Sequence, residues 1–77
     1  MTKYEEELVS EYKIAWMSYC KAKNNYMFAR QGLQPSYVKE PKEFLKRIKS
    51  CEGFRCALFE KRLRIYNIDP VEVRRGL

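Results

Sequence analysis

Between residues 12 and 29 the chain repeats itself: Tyr12, Tyr19 and Tyr26 follow one another every seven residues, and Ala15, Ala22 and Ala29 do the same. On an α-helix this spacing stacks three tyrosines and three alanines along one seam, the two inward positions of a heptad, with Leu8 extending it toward the N-terminus. Alanine lets a neighbouring backbone come close, while each tyrosine brings a large ring and a hydroxyl that needs a partner when buried. The pattern predicts a long helix with one side against another helix.

Local signals bound that helix at residues 3–31. Thr2 is a candidate N-cap, Glu5, Glu6 and Glu7 favour the positive N-terminal end, and Gly32 stands where a helix usually stops. Residues 32–40, with Gly32 and Pro35, read as a connector. A second helix is expected over 41–67, with Pro41 in its first turn. Phe44, Leu45, Ile48, Cys51, Cys56, Phe59, Leu63 and Tyr66 gather on its apolar face, and Lys42, Lys46, Lys49, Ser50, Gly53, Glu60 and Arg64 on the other. Gly53 therefore falls on the outer face, and the pattern stays in phase across it. In the C-terminal segment, 68–77, Asp69, Pro70 and Glu72 have the form of an N-cap, a first-turn proline and a third-position glutamate, enough for one short helical turn.

Two helices of similar length joined by a short connector should fold back on one another. The expected fold is all-α: a single domain over 1–77, an antiparallel two-helix hairpin with a short C-terminal segment. A turn centred on Tyr37 sets Ala15 against Phe59, Tyr26 against Ile48 and Leu8 against Tyr66. The same register sets Tyr19 against Arg55 and Tyr12 against Arg62, so that each arginine stacks on a ring, with an anion site between the helices as the sharper reading.

A chain of 77 residues is near the size at which one core is only marginally stabilising, so self-association is expected. Ile14, Met17 and Phe28 lie opposite the tyrosine seam, where the second helix cannot cover them. Either Val71 and Val73 of the C-terminal segment cover this stripe, or a second copy does, pairing two hairpins as a homodimeric four-helix bundle.

Composition narrows the class. With 45% hydrophobic residues, 14% aromatics and few glycines or prolines, the chain is that of a folded protein. No apolar run approaches the roughly 20 residues of a membrane span. Cys20, Cys51 and Cys56 lack the spacing of a zinc site and are expected to be buried free thiols, which suits a reducing, cytoplasmic setting. No metal or cofactor is expected, nor a small-molecule substrate. There is no histidine, no Gly-rich phosphate loop and no nucleophile motif, so no catalytic residue is assigned.

The charges matter more for their placement than for their total of +6. Residues 1–11 carry one lysine against four glutamates, whereas residues 20–50 carry eight basic residues against Glu40 and Glu43. In a hairpin these flank the turn and make its tip electropositive. The bland alternative is a merely solvated face. The functional reading is a non-enzymatic regulator, inhibitor or adaptor that docks this tip on an acidic protein surface, through Arg30, Tyr37, Lys39, Lys42, Lys46, Arg47 and Lys49. The alternative is direct nucleic-acid binding by the same surface, with Tyr37 or Phe28 stacking on unpaired bases. A basic helix lying on an anionic membrane is disfavoured because helix 2's apolar face is already occupied by helix 1.

Overall fold

The computed structural model describes residues 1–34 and 39–77. Three helices follow in order: α1, Lys3–Arg30; α2, Lys42–Ile65; and α3, Pro70–Arg74. The two long helices pack along one another and α3 closes over one end of them, so the all-α hairpin is the observed fold. The molecule measures 44 × 20 × 17 Å. Its long axis is close to the length of α1, about 42 Å at 1.5 Å per residue.

The helix ends follow from local chemistry. Thr2 caps α1 by accepting the Glu5 N–H at 3.2 Å. At the other end Gly32 takes a left-handed φ of +71°, and the Leu33 N–H returns to the Phe28 carbonyl at 2.8 Å. Pro41 sits one residue before α2 as its N-cap, without a side-chain cap bond. α2 stops two residues short of the expected limit because Asn67 turns left-handed, φ +59°, and the Ile68 N–H bonds the Leu63 carbonyl. Asparagine tolerates that conformation better than most side chains. Asp69 then caps α3, accepting from the Val71 N–H at 2.9 Å.

Leu8, Tyr12 and Ala15 of α1 and Cys56 and Leu63 of α2 form the core, with Val9, Trp16, Tyr19, Phe59, Ile68 and Val73 packed against it. This core sits in the half of the hairpin that carries the termini. Toward the tip, Ala22 and Leu45 are the buried residues.

The register differs from the expected one by two residues. Tyr12 meets Glu60 rather than Arg62, and its hydroxyl donates to Glu60 Oε2 at 2.7 Å. Tyr19 lies over Gly53 rather than Arg55; a Cβ on Gly53 would stand 3.2 Å from Tyr19 Cε1. Gly53 thus faces α1, not solvent, and its missing side chain is the space the ring occupies. Near the termini the offset grows to four: Tyr66 packs on Tyr4, with ring centroids 5.6 Å apart, rather than on Leu8. Cys51 is exposed and Cys20 half-buried; of the three thiols Cys56 is fully buried. Its pKa is raised by that burial and by the carboxylates of Glu60 and Glu52.

Candidate functional site

At the tip, α1 ends with Arg30 in its last turn and α2 begins with Lys42, Lys46 and Lys49. The spacing of four and then three residues puts these lysines on one face of α2. Lys23, Tyr26 and Arg30, spaced three and four, share one face of α1. The two faces adjoin at Tyr26, where Arg30 Cζ lies 5.9 Å and Lys49 Nζ 5.3 Å from the ring centroid. Both distances fit cation–π attraction. Tyr26 is half-buried, and Lys23, Lys39, Lys42 and Lys46 are exposed.

Arg47 follows Lys46 directly and is rotated about 100° from it, onto the outward side of α2. It stands at the edge of the tip face, lining one open groove with Lys46, Ser50 and Cys51. Tyr37 lies outside the described residues. Tyr26 and Lys23, by contrast, belong to the cluster although the sequence reading gave Tyr26 to the core and left Lys23 unassigned. The signal was their spacing from Arg30.

Among the described residues the cations of this cluster form no ion pair, although Glu40 and Glu43 adjoin them in sequence. Among the described residues the ion pairs are Arg55–Glu52, Arg74–Glu60 and Arg75–Glu72, all away from it. Glu43 is the single acid in the first turn of α2. Placing lysines at the positive end of a helix dipole costs local stability and raises the local potential.

The opposite end holds a different constellation. Arg74 of α3 places Nη1 3.1 Å from Glu60 Oε2 and 3.2 Å from the Tyr12 hydroxyl, with its guanidinium 4.4 Å above the Trp16 ring. Burial and the bond to Glu60 push the Tyr12 phenol up to about 12, against the lowering effect of Arg74. The Arg74 pKa is itself raised, chiefly by its bond to Tyr12. The group ties three helices together, with Tyr12 from α1, Glu60 from α2 and Arg74 from α3.

Arg55 and Arg62 do not stack on tyrosines. Both approach the Phe59 ring, at 5.9 and 6.0 Å, and both are exposed. The anion site between the helices is therefore not formed. Arg55 also pairs at 3.7 Å with Glu52, as a nearby acid allows.

Ile14, Met17 and Phe28 are 56%, 51% and 42% exposed. α3 does not cover them: Val73 packs against the Tyr12 and Trp16 side, and Val71 is exposed. A second exposed apolar set, on α2, was not foreseen: Cys51, Phe54, Leu58 and Ile65. Among the described residues no group of three or more His, Cys, Asp or Glu is placed to hold a metal ion, and no helix is long and apolar enough to cross a membrane. No protein-family model matches this chain, and neither a curated protein nor a solved structure does.

Proposed function

We propose that this protein is a small non-enzymatic interaction protein, a regulator, inhibitor or adaptor, that docks the basic face of its hairpin tip on an acidic macromolecular surface. The observation that carries this reading is the convergence of Arg30 and Lys49 on Tyr26, with Lys42 and Lys46 on the same face of α2 as Lys49 and, among the described residues, no ion pair at any of the four. Such a face steers an acidic partner and orients it on arrival. Lys39 extends the same surface. Nucleic acid is the alternative occupant of the same face, through phosphate contacts and a base stacked on Phe28, which is 42% exposed. Dimerisation through Ile14, Met17 and Phe28 would present two tips on one particle. A cytoplasmic setting fits this reading, since the three thiols are unpaired and disulfides are rare in reducing compartments.

Affinity capture from a lysate, with and without nuclease, tests the proposal. Capture of an acidic protein should survive nuclease and be lost in the double variant Lys42→Glu, Lys46→Glu, which alters exposed residues and leaves the half-buried Lys49 in place. Capture that vanishes with nuclease would transfer the surface to nucleic acid. In that case oligonucleotide affinity must fall linearly with log salt, with a slope of roughly −3 for three or four phosphate contacts.

A further inference from the structure

The outward side of α2 carries a line of residues at Arg47, Cys51, Phe54, Leu58, Lys61 and Ile65, spaced four, three, four, three and four. This is the a and d spacing of a heptad, and it runs along the side of α2 turned away from α1. Phe54 is 68% exposed, Leu58 45% and Ile65 71%. Such a row of large apolar groups left in water is the mark of an unfilled interface. Arg47 stands at its tip end, beside Lys46.

We propose that this outer seam of α2 binds an acidic amphipathic helix of a partner protein. Charge complementarity selects that occupant. Arg55 and Arg62 flank the seam on one side and Arg64 on the other, while Lys61 stands within it, all exposed. Of the acids on α2, Glu52 and Glu60 are half-buried and engaged by Arg55 and by Tyr12 with Arg74, leaving Glu43 as the one turned outward. A second copy of the same seam would set cation against cation, which heptad pairing penalises. An interfacial membrane helix presents a broad apolar face, whereas this row keeps to two heptad positions, the narrower stripe of a coiled-coil seam. The surface is separate from the Tyr26 face, and the inference does not depend on the function proposed for that face.

The test uses the full chain and a fluorescent synthetic helix of 21 residues with leucine at the a and d positions and glutamate on the flanks. A control peptide carries lysine on the flanks. The acidic peptide should bind saturably by fluorescence anisotropy, at least tenfold more tightly than the lysine peptide, and more weakly as salt is added. Leu58→Glu and, separately, Phe54→Ser should each weaken it at least tenfold while helicity by circular dichroism is retained. Should Leu58→Glu fail to fold, Phe54→Ser decides. Equal binding of the two peptides, absence of saturation, or indifference to the seam variants overturns the proposal. So does a self-association measured by ultracentrifugation that Phe54→Ser abolishes, or flotation with phosphatidylcholine vesicles containing phosphatidylserine that Phe54→Ser abolishes; these would give the seam to a second copy or to a bilayer.

Discussion

Tyr12 and Glu60 are joined across the hairpin by a 2.7 Å hydrogen bond between residues 48 apart in sequence, and Arg74 reaches both from α3. One carboxylate oxygen thus serves all three helices. Tyr12→Phe removes the phenol but leaves Glu60 its cation, and should cost about 1 kcal/mol. Arg74→Ala leaves a half-buried carboxylate without its cation and frees α3, and should cost about 2 kcal/mol, since the pair is partly solvent-exposed. Urea unfolding of the singles and the double should show coupling of at least about 0.5 kcal/mol, as groups in one network require. Additive losses would mean that the three side chains act separately.

Alkaline pH should weaken the same network. The Tyr12 pKa lies above its ordinary value of 10.0, at about 12, so the folded state holds this proton more tightly than the unfolded chain. The resulting stabilisation is fully present below pH 10 and is lost as pH rises toward 12, by at most about 1.4 kcal/mol per pH unit for one proton. The measurement is the difference between wild type and Tyr12→Phe, which cancels every other titration the two proteins share. Wild-type stability should fall more steeply between pH 10 and 12; equal slopes would refute the assignment.

Gly53 provides a test of the register. Alanine in a helix interior is normally better than glycine by about 1 kcal/mol, but here its methyl would meet Tyr19 at 3.2 Å. Tyr19 is packed against Trp16, with ring centroids 5.5 Å apart, so it yields with difficulty. Gly53→Ala should therefore gain little or lose stability in the wild type, yet gain the full amount in a Tyr19→Ala background. Gly53→Leu should lose about 1–3 kcal/mol by overpacking. Thermal melts of these variants decide it, and a stabilising Gly53→Leu would be incompatible with the ring lying over Gly53.

The proposed dimer predicts a particle of about twice the 9.3 kDa chain mass in light scattering. Met17→Glu should return it to the monomer without loss of helicity, because Met17 is half exposed. A wild-type monomer across micromolar concentrations would remove the dimer and leave the tip proposal standing.

The parts of the fold that were legible in sequence are those set by nearest neighbours. Thr2, Gly32, Asn67 and the pair Asp69 and Pro70 act within one turn of the helix end they define, and three of those four ends were readable. The slide of one helix along the other was not, because a heptad states which side is inward but not which residue stands opposite. Pairing arginine with tyrosine was chemically reasonable. It lost to an arrangement that gives Tyr19 the empty space at Gly53 and Tyr12 a carboxylate. Arg74 had no periodicity to announce it, acting 62 residues from Tyr12 through a five-residue helix. At the tip, Lys42, Lys46 and Lys49 could be grouped by spacing alone. Tyr26 emerged beside Lys49 only once the two helices were set side by side, and counting charge along the chain does not show that Arg47 is turned about 100° from Lys46.

A body of 44 × 20 × 17 Å is more than twice as long as it is wide, so in water it tumbles more slowly end over end than it spins about its axis. The amides of α1 and α2 point along that axis and report the slow motion in NMR relaxation. A partner seated on the tip lengthens the rod and increases this anisotropy, whereas a helix laid on the outer side of α2 thickens it and reduces the anisotropy. The shape of the hairpin thus makes rotational diffusion a direct readout of which of the two proposed surfaces a partner occupies.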